Sequence, residues 1–490
     1  MKMRWLSVAL ASVMMVGCNS ADNHKGQSSL ADDEVYVLVS TGNRQKELYR
    51  ETIGFERGEA DDITIKLLPE ERYQMMDGFG AAVTGSSAFN LMKMSEENRT
   101  KFLEETFSEE GLGFSYIRIS IGCSDFSLSE YSCCDTPGIE NFALTSEELD
   151  YVIPVLKEIL AINPGLKIMG SPWTPPKWMK VNNLKDLQPF DSWTSGQLNP
   201  AYYDDYAQYF VKWIKAFENE GINIYSITPQ NEPLNRGNSA SMYMTWQEQR
   251  DFIRQSLGPA LRDAGLKTKL YVFDHNYDYD LSNPENHDQG QYPLKIYEDA
   301  EAASFITGAA YHNYGGRKEE LNVIHDGAAD KELVFTETSI GTWNDGRNLD
   351  VRLVDDMREV ALGTVNNWCR GVIVWNLMLD TDKGPNRDGG CQTCYGAVDI
   401  NPNDFATITR NSHYIIIGHM SSVVKPGAVR IGTSGGNDDG ITTSAFENED
   451  GSFALVVLNE SAQSKSLTVD DGNRSFEYAV PGKSVVSFRW

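Results

Sequence analysis

Two glutamates stand where short runs of β-forming residues end. Glu232 lies in a Thr-Pro-Gln-Asn-Glu-Pro segment that follows one run, and Glu337 comes directly after Thr336, the last residue of another. A salt bridge would explain either glutamate alone. Two facing carboxylates, however, are what glycoside hydrolysis requires, because one protonates the leaving oxygen while the other attacks the anomeric carbon or activates water.

Two neighbouring residues fit the same chemistry. Asn231 directly precedes Glu232, and its amide can bind the sugar 2-hydroxyl, a hydrogen bond that strengthens in the transition state. Trp375 ends a further β run, where its indole can stack on a sugar ring. A tryptophan that only fills the core is the alternative for Trp375. Together these residues favour a glycosidase site.

The pattern between these residues predicts the scaffold that positions them. Short β-rich runs alternate with longer amphipathic segments, and the runs cover residues 78–83, 115–121, 167–170, 224–228, 269–273, 307–311, 333–336 and 371–375. Eight strands alternating with helices predict an α/β fold, a (β/α)8 TIM barrel with its catalytic groups at the carboxyl ends of the strands. An open doubly wound sheet is the competing fold, but no G-x-G-x-x-G motif follows an early run.

Capping signals and turn sequences divide the chain further. Thr145 with Glu148 and Thr245 with Glu248 are spaced as capping boxes, and Asn199-Pro200 opens another helix. Helices are expected to stop near residue 414, where short strands and turns predict a side antiparallel β-sandwich domain. The predicted ranges are a signal peptide over 1–17, a flexible tether over 18–33, strands joining the side domain over 34–68, the catalytic barrel over 69–414 and the C-terminal β domain over 415–490.

The first residues predict export. Lys2 and Arg4 precede an apolar run over residues 5–16 that is too short to span a bilayer. The run ends in Met-Val-Gly-Cys, which resembles a bacterial lipobox with Cys18 as the lipidated residue, although an ordinary signal peptide containing a cysteine is the alternative. We therefore expect a monomer that contacts the bacterial outer membrane through a lipid anchor only, at the cell surface or the periplasmic face.

Composition excludes some partners and leaves the cysteines open. The chain has 43 Lys and Arg against 70 Asp and Glu, a net charge of −27 with no basic run, which argues against a nucleic-acid partner. Six cysteines remain beyond Cys18, and disulfides or buried free thiols are expected for them. A zinc site at Cys391 and Cys394, with Cys133 and Cys134, is the alternative. No metal or cofactor is predicted.

The chain resembles glycoside hydrolase family 30, which contains glucosylceramidases, xylan-active enzymes and β-1,6-glucanases. The matching segments cover residues 77–82, 117–119, 123–127, 171–180, 228–233, 312–314, 336–338, 375–377 and 384–386. This resemblance implies that Glu232 is the acid/base and Glu337 the nucleophile of a retaining mechanism. It also implies a substrate-binding subsite lined by Arg118, Asp125, Trp173, Asn231, Tyr314 and Trp375.

Physical reasoning about these implied roles gives two further expectations. Arg118 can hydrogen-bond Glu337 and keep it ionised, so we expect the pKa of Glu337 below, and that of Glu232 above, that of an ordinary glutamate. His312 is expected to be a structural histidine rather than a proton carrier.

Two functions follow from the resemblance, and a third comes from another class of protein. The chain most resembles the β-1,6-glucanase branch, so the first hypothesis is a retaining hydrolase of β-1,6-linked glucan. A glucosylceramidase-like enzyme that acts on small β-glucosides is the alternative. A catalytically inactive lipoprotein that binds glycans is the alternative from another class, and the presence of both glutamates argues against it.

Overall fold

The chain has 490 residues, and a computed structural model describes residues 31–55, 63–277, 283–437 and 439–490. The predicted signal peptide, Cys18 and nearly all of the predicted tether lie outside these ranges. Within the ranges, no helix is both long and apolar enough to cross a membrane.

The centre of the molecule is a closed barrel of eight parallel strands. In chain order they are β1 (Gly78–Ala81), β2 (Tyr116–Ser120), β3 (Lys167–Ser171), β4 (Ser226–Ile227), β5 (Lys269–Asn276), β6 (Gly308–His312), β7 (Glu332–Glu337) and β8 (Cys369–Val374). Hydrogen bonding runs in the order β1-β8-β7-β6-β5-β4-β3-β2, and a parallel bridge between Ala82 and Arg118 joins β1 to β2. Each strand overlaps one predicted run, so the (β/α)8 barrel is confirmed.

Packed side chains fill the interior of the barrel. A buried cluster is formed by Tyr116, Met169, Tyr271, Ala310, Val334 and Ile373, as expected for a barrel whose core is solid. At the closing edge, β1 approaches β2 closely because residue 80 is a glycine. A Cβ at Gly80 would lie 2.0 Å from the carbonyl oxygen of Tyr116. The centre of the barrel is therefore a packed core.

Helices surround the barrel. They are Gly85–Lys93, Glu96–Phe107, Ile153–Ile162, Tyr203–Asn219, Trp246–Phe252, Gly258–Asp263, Tyr292–Tyr297, Ala300–Phe305, Glu320–Gly327, Leu349–Asp356, Leu362–Val365 and Ser412–Val423. The predicted capping box is present at Thr245, whose hydroxyl accepts from the Glu248 amide while the Glu248 carboxylate accepts from the Thr245 amide. Asn199 caps the short turn that leads into Tyr203–Asn219.

The last helix corrects the predicted boundary at residues 414 and 415. Ser412–Val423 is helical, so helices do not stop near residue 414. All twelve of its residues are buried, because it packs between β1, the Leu349–Asp356 helix and the side domain. A helix enclosed on every side has no polar face, and its sequence therefore lacks the amphipathic period that reveals surface helices.

The side domain contains nine strands from both ends of the chain. They are Glu34–Thr41, Tyr49–Gly54, Ile63–Met75, Val429–Ser434, Ile441–Glu447, Phe453–Asn459, Lys465–Asp470, Ser475–Val480 and Ser484–Arg489. Residues from opposite ends of the strand order share one core, where the rings of Phe476 and Phe488 lie 5.2 Å apart. The N-terminal strands join this domain, as predicted.

Four details of the side domain differ from the prediction. Ile63–Met75 runs across the predicted boundary at residues 68 and 69, and it pairs with Lys465–Asp470 in parallel, so the domain is not wholly antiparallel. Val429–Ser434 was not predicted as a strand. Neither was Tyr49–Gly54, an edge strand whose polar residues are mostly outside the core.

Candidate active site

Glu232 and Glu337 line one cavity of about 360 Å³ at the carboxyl end of the barrel. Glu337 is the last residue of β7, and Glu232 follows β4 in a left-handed backbone conformation with φ of 45°. Both side chains are almost fully buried. The cavity is also lined by Asp125, Asn235, Asn238, Asn276, Tyr314, Ser339, Trp343, Trp375, Gly389, Gly390, Cys391 and Cys394.

Both carboxylate oxygens of Glu337 accept hydrogen bonds. Arg118 donates from Nη1 to Oε2 at 2.6 Å, and the hydroxyl of Tyr314 donates to Oε1 at 3.1 Å. Arg118 reaches Glu337 from the middle of β2 and is fully buried, whereas Tyr314 is 41% exposed at the cavity rim. These contacts fix the orientation of Glu337 towards the cavity.

Arg118 is held in turn by Asp274 and Asn231. Its Nη2 atom donates to Asp274 Oδ2 at 2.7 Å and to Asn231 Oδ1 at 2.8 Å, while Nε donates to the hydroxyl of Ser171. Burial alone would raise the pKa of Asp274, but the charge of Arg118 and the hydrogen bond from His312 lower it well below its usual range. Arg118 is therefore a buried cation shared by two carboxylates.

Glu232 is bound by amide side chains and by His312. Asn235 donates to Oε2 at 2.7 Å, and Nδ1 of His312 lies 3.2 Å from Oε1. Nε2 of His312 lies 3.0 Å from Asp274 Oδ1 and 4.0 Å from Glu337 Oε2. One imidazole thus lies between the two predicted catalytic carboxylates.

The electrostatics reverse the expected order of the two glutamates. Burial alone would lower the pKa of His312, but the charge of Glu337 and the hydrogen bonds to Asp274 and Glu232 raise it to about 9. Against the effect of its own burial, the hydrogen bond and charge of His312 lower the pKa of Glu232 to about 2. Burial and the charge of Glu232 raise the pKa of Glu337, although the charges of His312 and Arg118 act in the opposite direction. His312 thus contacts Glu232 and Asp274 through its two ring nitrogens.

The remaining predicted residues form the floor and one wall of the site. The rings of Trp173 and Trp375 stack with centroids 5.1 Å apart, and the guanidinium of Arg118 lies 4.9 Å from the Trp173 ring centroid. Asp125 lines the cavity, and burial together with the charge of Glu337 raises its pKa to about 7. Of the six predicted binding residues, Asp125, Tyr314 and Trp375 line the cavity, whereas Arg118, Trp173 and Asn231 lie behind it.

Sequence reasoning missed Asp274 and His275. The predicted fifth run stops at residue 273, but β5 continues to Asn276 through left-handed conformations at Phe273 and Asp274 and a register shift. The criterion that found Glu232 and Glu337, a titratable side chain directly after a β run, would also have found Asp274.

The cysteines do not form the alternative zinc site. Cys391 and Cys394 are joined in a disulfide, and Cys123, Cys133, Cys134 and Cys369 are buried free thiols. Both outcomes lie within the default expectation of disulfides or free thiols.

The described residues contain one group with metal-ligand spacing. Potential ligand atoms of Glu232, His275 and His312 lie within 4.8 Å of one another. The raised pKa of His312 favours a proton at this position, because a metal ligand must be a neutral imidazole.

Comparison with known proteins identifies both domains. Residues 76–424 match the glycosyl hydrolase family 30 TIM-barrel domain, and residues 427–488 match the family 30 beta sandwich domain. These ranges place the Ser412–Val423 helix with the barrel.

Individual relatives agree with this assignment. An endo-1,6-beta-D-glucanase of Neurospora crassa is 32% identical over 430 residues, which cover 83% of each chain. The lysosomal acid glucosylceramidase of Mus musculus is 28% identical over 457 residues, 87% of this chain and 83% of that one. A solved structure, the endo-beta1,6-glucanase BT3312, is 64% identical with a TM-score of 0.90 and covers 93% of this chain and 99% of its own. The chain therefore belongs to glycosyl hydrolase family 30.

Proposed function

We propose that this enzyme is a retaining endo-β-1,6-glucanase in which Glu337 is the nucleophile and Glu232 the acid/base. The observation that carries the proposal is that both carboxylates line one cavity while His312 lies within 4.0 Å of each. A nucleophile fixed by cationic and hydroxyl donors, opposite a carboxylate with a proton source, is what double displacement requires.

The first half of the reaction forms a covalent intermediate. Glu337 attacks the anomeric carbon, the bond from that carbon to the glycosidic oxygen breaks, and Glu232 gives the leaving oxygen a proton. The proton is available because His312 holds one on Nδ1, 3.2 Å from Glu232 Oε1. Arg118 and Tyr314 hold Glu337 in place during the attack.

The second half reverses these roles. Glu232, now ionised, takes a proton from water, and the resulting hydroxide attacks the anomeric carbon and breaks its bond to Glu337. Between the steps His312 is neutral, and Glu232 then passes the proton taken from water back to Nδ1 of His312, where the charge of Asp274 stabilises it. The enzyme ends in its starting protonation state with the anomeric configuration retained.

The proposed substrate is a polymer of β-1,6-linked glucose. Support comes from the relatives named endo-β-1,6-glucanases, one of them 64% identical along nearly its whole length. The amide side chains of Asn235, Asn238 and Asn276 line the cavity, and they suit the hydroxyl groups of a sugar better than a lipid chain. A glucosylceramidase-like action on small β-glucosides is the alternative outcome of the test.

We also propose that the mature protein is a monomer anchored to the bacterial outer membrane by a lipid on Cys18. The support is in the sequence, where Lys2 and Arg4 precede an apolar run and a lipobox-like Met-Val-Gly-Cys segment. An anchored hydrolase suits a polymer too large to import. Replacement of Cys18 by alanine should move the protein from the membrane fraction to the soluble one.

A panel of linkage-defined glucans tests the activity. We expect oligosaccharides from β-1,6-glucan and little or no release from β-1,3-glucan, β-1,4-glucan or xylan, measured by chromatography of the products. Cleavage of small aryl or lipid β-glucosides with the polymer untouched would replace the proposal with the glucosylceramidase-like alternative.

A further inference from the structure

Trp343 is a tryptophan on the cavity rim that no part of the mechanism above uses. Its side chain is 52% exposed, the most exposed tryptophan in the part of the chain that the structure describes. It lines the same cavity as Glu232 and Glu337. We propose that Trp343 is the stacking platform for the glucosyl unit on the leaving-group side of the scissile bond.

The backbone beneath Trp343 holds the indole ring in place. A Cβ at Gly341 would lie 1.9 Å from a ring carbon of Trp343, so the ring rests directly on the backbone of Gly341. The Gly341 amide donates to the side chain of Asn344 at 2.9 Å, and the Gly346 amide donates to the Gly341 carbonyl at 2.9 Å. A surface built in this way loses little conformational entropy when a ligand stacks on it.

A covalently closed loop supports this segment from the other side. Ile340–Gly341 pairs antiparallel with Cys394–Tyr395, and the Thr342 amide donates to the Thr393 carbonyl at 3.0 Å. The disulfide between Cys391 and Cys394 closes the loop that carries Thr393. Both cysteines line the cavity, so the loop is part of the same wall.

Trp343 differs in its burial from Trp173 and Trp375, the two tryptophans at the floor of the site. Trp173 and Trp375 are each only 2% exposed, and Trp375 with Asp125 lines the enclosed part of the cavity. Trp343 is open to solvent on the rim, where a stacked sugar can continue into a chain. Aromatic faces bind apolar ring surfaces while leaving polar groups hydrated, which is what a polymer unit outside the enclosed pocket needs. The exposure of Trp343 therefore suits a glucosyl unit of the chain that lies outside the enclosed pocket.

This inference rests on the proposed function, and a pair of substrates tests it. One is a β-1,6-linked gluco-oligosaccharide, whose leaving group is a sugar, and the other is β-glucosyl fluoride, whose leaving group is too small to reach Trp343. We expect Trp343→Ala to lower kcat/KM for the oligosaccharide by about tenfold more than for the fluoride, mainly through KM. Trp343→Phe should restore most of the loss, since it keeps an aromatic face.

A variant of the underlying backbone provides an independent check. Gly341→Ala keeps the indole but places a methyl group where the ring lies, so it should reproduce the same loss on the oligosaccharide. Equal losses on both substrates in Trp343→Ala, or an unchanged oligosaccharide KM, would overturn the inference. If the wild-type enzyme hydrolyses other β-glucosides but not the β-1,6-linked oligosaccharide, the proposed function has failed instead.

Discussion

Charged side chains cluster at both ends of the barrel. At the amino end, Asp77 and Glu332 are bound by Lys167, Lys269 and Arg370, each at or beside the start of a strand. Lys167 Nζ lies 2.7 Å from Asp77 Oδ1, and Lys269 Nζ lies 2.8 Å from Glu332 Oε2. The cations outnumber the carboxylates, and despite its burial the pKa of Asp77 is lowered by Lys167 and Arg370.

The carboxyl end has the opposite balance. There Arg118 and His312 face Asp274, Glu232 and Glu337, so carboxylates are in excess, and the site opens onto a cavity. The excess raises the pKa of His312 to about 9, whereas burial raises that of Glu337. The cluster at the carboxyl end has an excess of carboxylates and is open to substrate, so it is suited to proton transfer. The cluster at the amino end has an excess of cations, and we expect it to stabilise the fold.

Replacing the glutamate at either end of β7 is expected to give the largest difference in kcat between two variants. Glu332 and Glu337 are the first and last residues of this strand. We expect Glu337→Gln to lower kcat by more than about 10³-fold, because the nucleophile is lost, with the unfolding temperature close to that of wild type. Glu332→Gln should lower the free energy of unfolding by about 1–3 kcal/mol, because it weakens its ion pairs, and leave kcat almost unchanged. A similar kcat in both variants would contradict the assignment of catalysis to the carboxyl end and of stability to the amino end.

A second pair of variants concerns the buried aspartates. Both carboxylate oxygens of Asp274 accept hydrogen bonds, from His312 and Arg118 among others. In Asp274→Asn one acceptor oxygen becomes an NH2 donor, so the hydrogen bond from either His312 or Arg118 is lost. We therefore expect kcat/KM to fall by about 10²-fold. Asp77→Asn at the amino end should reduce stability without this loss of activity. Steady-state kinetics and thermal unfolding of both variants distinguish a loss of activity from a loss of stability. A normal kcat/KM in Asp274→Asn would show that activity does not depend on the contacts of Asp274 with Arg118 and His312.

The smallest expected effect is a shift in the pH profile of activity. The pKa of His312 is raised, so its proton is held below about pH 9 and is lost above it. The pKa of Glu337 is also raised, so activity should fall on the acid side as this carboxylate takes up a proton. We expect a bell-shaped profile whose alkaline limb moves to lower pH in His312→Asn, because Glu232 must then hold the proton unaided. An alkaline limb that does not move would remove His312 from the proton path.

The sequence predicted the barrel well because its strands are short, apolar and separated by capped helices. Glu232, Glu337 and the six residues predicted to bind substrate lie together, three of the six lining the cavity, since the carboxyl ends of parallel strands meet at one face. The Ser412–Val423 helix was missed because it is buried on every side, and the edge strand Tyr49–Gly54 because it is polar.

The electrostatics could not be predicted in the same way. The order of the glutamate pKa values depends on which carboxylate His312 touches, and residues 232 and 312 are 80 positions apart. Asp274 directly follows the predicted fifth run, but the continuation of β5 to Asn276 through left-handed backbone is not revealed by a pattern of β-forming residues. Contacts between side chains at the ends of different strands depend on the three-dimensional arrangement of those ends.

The stereochemistry of the first product tests the central claim that Glu337 attacks the sugar directly. Proton NMR of the anomeric signals, recorded in the first minutes of β-1,6-gluco-oligosaccharide hydrolysis, distinguishes the two possible outcomes before mutarotation mixes them. Double displacement through Glu337 predicts that the β anomer appears first and the α anomer only later. Initial release of the α anomer would mean that water attacks in a single step, and it would contradict the role assigned to Glu337.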